Sequence, residues 1–246
     1  MYHIVIPARY GSTRLPAKAL ADINGKPLVY WVWRRALASS ALSVTVATDD
    51  SRIFDALATH GAQVVMTDTA HPSGTDRLAE VARLKNWPMD AIIVNLQGDE
   101  PLMPVANLEQ VSALLARYTS ASIATLYEPI VSQEQFVDAS VVKVVGDASG
   151  RAQYFSRAPI PHVRDPMGET CPHDARRHIG LYAYRVSYLD DFARQPVAPY
   201  EQLESLEQLR ALHCGHEIRI AQACEVVPAG VDTPADLEAV RALMAT

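Results

Sequence analysis

The chain has 246 residues, of which 49% are hydrophobic, 20% charged and 7% aromatic, the balance of a folded globular protein and not of a disordered or fibrous one. Lys and Arg number 22 against 28 Asp and Glu, a formal charge of −6, so the overall field repels polyanions and nucleic acid is not an expected partner. At roughly 150 residues per domain the length fits one large α/β domain or a main domain carrying a sizeable insertion, which buries roughly 70–75% of its unfolded surface and needs no staples.

In chain order, short β-branched runs alternate with helix-period segments. His3–Ile6 precedes Pro27–Ser39, Leu42–Thr48 precedes Ser51–His60, Gln63–Met66 precedes Thr75–Lys85, and Ala91–Leu96 precedes Pro104–Tyr118. That rhythm predicts a mostly parallel central sheet with helices on both faces. In the last of these helices Leu108, Val111, Leu114, Leu115 and Tyr118 make one stripe, with Pro104 at its start. After Ser122–Tyr127 the rhythm changes to a strand at Val141–Gly146, a Pro-rich stretch from Ala158 to Pro172 and a strand at Ile179–Val186. This reads as an inserted β-rich lobe over approximately 128–190 within the single domain 1–246. Helix signals return at Glu201–His213, a strand at Glu217–Ala221, and a last helix at Pro234–Met244. Thr233 is its expected N-cap, with Asp236 closing a capping-box variant.

Cys171, Cys214 and Cys224 are odd in number and form no C-x-x-C pair, which points to a reducing compartment. The apolar run Met1–Pro7 is short and lacks a basic lead-in, and no 18-residue apolar run occurs, so the expected location is the cytoplasm, away from membranes. The groupings Cys171, His173, His178 and His213, Cys214, His216 lack zinc-finger spacing.

The strongest local signal follows the first strand, where Ile6–Lys18 gathers Arg9, Arg14 and Lys18 with Gly11 and the hydroxyls of Ser12 and Thr13. A loop at a strand's carboxyl end is where open α/β sheets bind ligands, and two guanidinium forks, an ammonium and free amides suit a triphosphate. It is neither a G-x-x-x-x-G-K-[ST] loop nor a dinucleotide loop, and the same residues also fit an exposed basic loop. A second apolar strand runs straight into Gln97-Gly98-Asp99-Glu100. Carboxylates there can hold Mg²⁺, a hard ion that shares oxygen ligands with phosphates, although a solvated turn has the same composition. Asp232 stands between the strand-like Val226-Val227 and the last helix, and could converge with Asp99 on one ion. Ser73, Thr75 and Asp76 open a helix whose amides suit an anion or a base edge, or which they simply cap. Arg157 lies in the rigid apolar segment Tyr154–Pro161, where a guanidinium calls for a fixed partner in a ligand or in the protein. His178 opens the strand that carries Tyr182 and Tyr184.

Taken in order, Ile6–Leu20, His71–Arg77, Val94–Pro101, Tyr154–Pro161, His178–Arg185, Leu203–Arg210 and Gly230–Leu237 resemble the 3-deoxy-manno-octulosonate (Kdo) cytidylyltransferases, or CMP-Kdo synthetases. The resemblance implies a nucleotide-diphospho-sugar transferase-like α/β fold that transfers CMP from CTP to the anomeric hydroxyl of Kdo. The products would be pyrophosphate and CMP-Kdo for lipopolysaccharide synthesis. It implies that Arg9, Ser12, Arg14, Lys18, Ser73, Thr75 and Gln97 hold the nucleotide, with Arg9, Lys18 and Asp99 catalytic. Asp99 and Asp232 would bind Mg²⁺, and Arg77, Arg157, His178, Tyr182, Glu207 and Gln208 would form the sugar pocket. It further implies a homodimer built through the β-rich lobe. Alternatives are a cytidylyltransferase for a related acid sugar, such as 8-amino-Kdo or a sialic acid, and a non-catalytic nucleotide-sensing module. One departure stands out. The family usually reads Leu-Pro-Gly-Lys-Pro-Leu where this chain has Leu15-Pro16-Ala17-Lys18-Ala19-Leu20. Alanine at 17 is expected to fit the loop only with a negative φ.

Overall fold

The computed structural model describes residues 1–12, 14–164 and 171–244, so Thr13 and positions 165–170 of the Pro-rich stretch lie outside the described residues. The elements are β1 (His3–Ala8), a one-turn 3-10 helix (Lys18–Leu20), the small hairpin β2 (Asp22–Ile23) and β3 (Lys26–Pro27), α1 (Leu28–Leu37), β4 (Ser43–Thr48), α2 (Ser51–Ala58), β5 (Gln63–Met66) and α3 (Gly74–Leu84). There follow β6 (Ile92–Asn95), α4 (Val105–Arg117), β7 (Ile123–Pro129), α5 (Gln133–Val137), β8 (Lys143–Gly146), β9 (Ala152–Ser156) and β10 (Arg176–Arg185). The last are α6 (Val186–Phe192), α7 (Pro199–Glu204), α8 (Gln208–His213), β11 (Ile218–Gln222) and α9 (Pro234–Met244).

The main sheet runs β11-β7-β10-β6-β1-β4-β5, parallel except for β10, which is antiparallel to both neighbours. Period two along the strands sorts the apolar residues onto two faces. Ile4, Ile6, Val46 and Val94 join Val32 and Trp33 of α1, Ile53 and Leu57 of α2, and Leu108 and Val111 of α4. Val5, Ala47 and Ile93 face the other way, against Leu78 and Val81 of α3, Leu189 and Phe192 of α6, and Leu209 of α8. The helices therefore cover both faces, as the β-to-α alternation predicted.

Within 128–190, β8 and β9 form an antiparallel pair that joins the first half of β10 through Arg177 opposite Lys143. The second half of β10 lies between β6 and β7, so these strands are continuous with the main sheet. The helix predicted at Glu201–His213 is two helices. Ser205 adopts a left-handed conformation at φ 51° and ends α7 before α8 begins. Residue 17 is a second correction. Ala17 takes φ 54°, not a negative value, because the amides of Lys18 and Leu20 turn back onto the Leu15 and Ala17 carbonyls at 3.1 and 2.8 Å. The loop keeps a glycine-type bend with an alanine in it, at a cost on the order of 1–2 kcal/mol.

Candidate active site

The chain runs outward from β1 through β4 to β5 and then returns to place β6 on the other side of β1, which makes the β1/β6 crevice the topological switch point of the sheet. The loops that leave these two strands meet there. Gly98 permits it, since a β-carbon at that position would lie 2.7 Å from the Pro7 carbonyl oxygen. A polar cavity of about 470 Å³ opens above, walled by Arg9, Gly11, Ser12, Arg14 and Lys18 from the first loop and by Gln97, Gly98 and Asp99 from the second. Its remaining walls are the start of α3, Tyr182 and Tyr184 of β10, the α7–α8 break, and Asp232.

Asp232 arrives from the far end of the chain on two ties. The Val231 amide donates to the Asp99 carbonyl at 2.9 Å. The predicted capping box is present, with the Asp236 carboxylate accepting from the amides of Asp232 and Thr233 at 3.1 and 2.8 Å. The two acids then share one cation. Lys18 Nζ reaches Asp99 Oδ2 at 2.5 Å and Asp232 Oδ1 at 3.0 Å, and Arg14 Nη2 meets the same Asp232 oxygen at 3.0 Å. Burial pulls the Lys18 ammonium toward neutrality, but the two carboxylates outweigh it and raise its pKa above the ordinary value, so it is charged. Beneath them, burial and then the neighbouring Asp99 charge push the Glu100 carboxyl up to about 7, against the pull of Arg177.

At the other end of the cavity the α7–α8 break presents Ser205, Leu206, Glu207 and Gln208. Glu207 accepts from Thr75 Oγ1 at 2.7 Å, and burial raises its pKa in spite of that bond. Two buried polar atoms of residues lining the cavity have no protein partner among the described residues, Asn95 Oδ1 and Gln208 Nε2. Such orphans carry a desolvation cost that a polar ligand would relieve. The floor is aromatic, with Tyr182 stacked on Tyr184 at 5.4 Å between ring centres. Behind Tyr182 stands His178, 5.2 Å away and bonded through Nε2 to Thr125 Oγ1 at 3.0 Å. Gly180 and Leu181 fall outside the register with β7, and this bulge brings His178 and Tyr182 together. Burial, with Arg177 nearby, holds the His178 imidazole neutral, with its pKa down to about 3.

A cytidylyltransferase family model matches residues 3–218. The 3-deoxy-manno-octulosonate cytidylyltransferase of Cellvibrio japonicus is 54% identical across 99% of this chain and 98% of its own. The chain belongs to the 3-deoxy-manno-octulosonate cytidylyltransferase family. The Chromohalobacter salexigens member is likewise 54% identical, over 98% of this chain and 96% of its own. A solved CMP:2-keto-3-deoxy-manno-octonic acid synthetase complexed with CTP superposes with a TM-score of 0.91 at 43% identity, covering 100% of this chain and 99% of that one. A cytidylyltransferase from Leptospira borgpetersenii, 17% identical with a TM-score of 0.65 over 99% of this chain and 86% of its own, shares the fold.

Of the residues singled out from the sequence of this cytidylyltransferase family member, the structure brings Arg9, Ser12, Arg14, Lys18, Ser73, Thr75, Arg77, Gln97, Asp99, Tyr182, Glu207, Gln208 and Asp232 to one cavity. Ser73 and Arg77 are also committed to partners outside the cavity's charged cluster. Ser73 caps α3, accepting from the Asp76 amide at 3.2 Å. The Arg77 guanidinium pairs with Asp49 Oδ2 at 2.6 Å and with the Thr67 hydroxyl. Arg157 and His178 do not line the cavity. Arg157 donates through Nε to the Glu204 carbonyl at 2.7 Å and through Nη1 to the Ala139 carbonyl at 3.1 Å. Sequence reasoning passed over Asn95 and Tyr184, although both left a signal. Asn95 is the polar end of the buried strand Ile92–Asn95, and Tyr184 shares a face with Tyr182 by alternation.

Proposed function

We propose that the protein catalyses transfer of CMP from CTP to the anomeric hydroxyl of Kdo, releasing pyrophosphate, with Mg²⁺ held by Asp99 and Asp232. The observation that carries this reading is the convergence of Asp99, Asp232, Lys18 and Arg14 at the switch point of the sheet, in a chain of this family. The donor set suits magnesium. Both carboxylates already reach a common cation, the Lys18 ammonium, and no third carboxylate, histidine or cysteine completes a protein cage among the described residues. Two carboxylates with the remaining positions left to water and phosphate oxygens is how Mg²⁺ is usually held, and such an ion would neutralise charge building on the phosphates.

The reaction forms a bond from the anomeric oxygen to the α-phosphorus and breaks the bond from that phosphorus to the bridging oxygen, whose electrons leave with pyrophosphate. No protein nucleophile is required, so the chain contributes position and charge. Arg9, Arg14, Lys18 and the loop amides face the triphosphate, and Ser12 braces that loop by accepting from the Leu15 amide at 3.4 Å. Glu207, Gln208, Asn95 and Tyr182 offer the polar and aromatic contacts that a sugar requires, and His178 and Thr125 hold Tyr182 from behind. The reading includes a homodimer formed through the β-rich lobe at approximately 128–190, where Val131 and Val137 stand 84% and 53% exposed, and a cytoplasmic location. No helix among the described residues is long and apolar enough to cross a membrane.

Pyrophosphate release with CTP, Mg²⁺ and Kdo tests the assignment, with UTP replacing CTP and a sialic acid replacing Kdo in parallel. Release with CTP and Kdo alone is expected. Preference for the sialic acid would move the acceptor to another acid sugar, and silence with every acceptor would leave only a nucleotide-binding role.

A further inference from the structure

The Lys18 ammonium sits where a divalent ion would be held. It contacts both carboxylates assigned to the metal, at 2.5 and 3.0 Å, and its side chain is 18% exposed, against 67% for Arg14 at the rim. Two carboxylates, an ammonium and a guanidinium cancel in formal charge, so the pair as arranged offers little field to draw in a divalent cation. We propose that Lys18 is a built-in counter-ion that closes the Asp99–Asp232 site to divalent cations in the nucleotide-free protein, and that the phosphates of an arriving nucleoside triphosphate open it by drawing the ammonium away. This rests on the metal assignment made above.

Facing carboxylates without a cation repel each other and are costly to desolvate together, and the ammonium removes that cost while the site waits. A triphosphate brings its own negative charge to the same cavity. Turning Nζ from the carboxylates to a phosphate exchanges one charge-assisted contact for another, and frees both carboxylates at the moment a second cation is wanted. Lysine suits this exchange because its charge is compact, its three donors rotate and its four-carbon stem swings without moving the backbone. The backbone is anchored, since the 3-10 turn Lys18–Leu20 is pinned by buried Ala19 and by the Ala21 amide on the Lys18 carbonyl at 3.0 Å. The consequence is an order of events in which the nucleotide binds first or with its ion, and the free protein does not collect divalent metal.

Mn²⁺, followed by the paramagnetic resonance of the unbound ion, tests this on the nucleotide-free full chain. The wild type is expected to leave Mn²⁺ free up to the millimolar range. Lys18→Met, which keeps the apolar stem and removes the charge, is expected to bind it at least about tenfold more tightly, and adding Asp99→Asn to that variant to abolish the gain. Equal affinities in the wild type and Lys18→Met would overturn the proposal. So would micromolar uptake by the nucleotide-free wild type, a measurement that needs no variant and decides the matter even if Lys18→Met folds poorly. The metal assignment has its own control in Mn²⁺ binding by wild type mixed with CTP. If Asp99→Asn and Asp232→Asn leave that binding unchanged, the assignment fails. If they weaken it and Lys18→Met gains nothing, only the counter-ion role fails.

Discussion

Gly230→Ala places a methyl group at the point where the two acidic loops touch. A β-carbon there lies 2.9 Å from Glu100 Oε1, 3.1 Å from Glu100 Cδ and 3.2 Å from the Asp99 carbonyl oxygen. The Glu100 side chain is half-buried and its carboxyl end can shift, whereas the Asp99 carbonyl is backbone and accepts from the Val231 amide at 2.9 Å. Overpacking of this kind costs about 1–3 kcal/mol, and stretching the Val231–Asp99 bond adds about 0.5–1.5 kcal/mol. In a domain of this size each kcal/mol moves the Tm by roughly 2–4 °C, so thermal unfolding should fall by roughly 3–18 °C. The contact with the Asp99 carbonyl is relieved by moving the Val231-Asp232 backbone outward. A displacement on the order of 1 Å in a reacting array costs about 100-fold in rate. Pyrophosphate release by Gly230→Ala should therefore show a kcat down about 100-fold, while the KM for CTP, set mainly on the opposite loop, changes by less than about threefold. A variant that melts earlier but turns over normally would refute the argument that contact at residue 230 sets the spacing of Asp99 and Asp232.

Asp99→Asn and Asp232→Asn should each abolish pyrophosphate release while far-UV circular dichroism stays unchanged, since both carboxylates are partly exposed and neither fills the core; normal turnover would remove that residue from the metal site. Arg14→Ala should raise the KM for CTP and lower kcat/KM by roughly 10- to 100-fold, the loss of one charge-assisted contact, and an effect confined to the KM for Kdo would reassign the loop. Ala17→Gly relieves a left-handed alanine worth about 1–2 kcal/mol but gains unfolded-state freedom worth about 0.4–1 kcal/mol, so a Tm rise of up to roughly 6 °C is expected and a clear fall would contradict the φ of 54°. His178 titrates near 3 when folded and near 6.5 when unfolded, so the unfolded chain binds the extra proton between these values and stability drains as pH falls through that window. His178→Gln should flatten the acid limb of a Tm-against-pH profile by at most about 1.4 kcal/mol per pH unit, and an unchanged limb would mean that the imidazole is not held neutral.

The sequence by itself determined the layer architecture, because periodicity records which side of each element must leave water. The parallel strands, the stripe on α4 and the Thr233–Asp236 cap appear in the structure where the pattern put them. It also marked the two loops after β1 and β6, because Arg9, Arg14 and Lys18 are costly to crowd together unless something anionic meets them, and Asp99 ends the neighbouring strand. Tertiary structure decided what depends on partners distant in the chain. β10 entered the sheet between β6 and β7 against the direction of its neighbours, and only that pairing turns Tyr182 and Tyr184 toward the cavity. The apolar pattern across Glu201–His213 runs on through residue 205, so the break there, which delivers Glu207 and Gln208, was not legible in it. Arg157 called for a fixed partner in a ligand or in the protein, and the fold supplies it with the carbonyls of Ala139 and Glu204. Ala17 was expected to avoid positive φ, yet it is held there by the turn around it. Local propensities amount to about 1 kcal/mol or less per residue, and burial and hydrogen-bond closure across the whole fold override them wherever the two disagree.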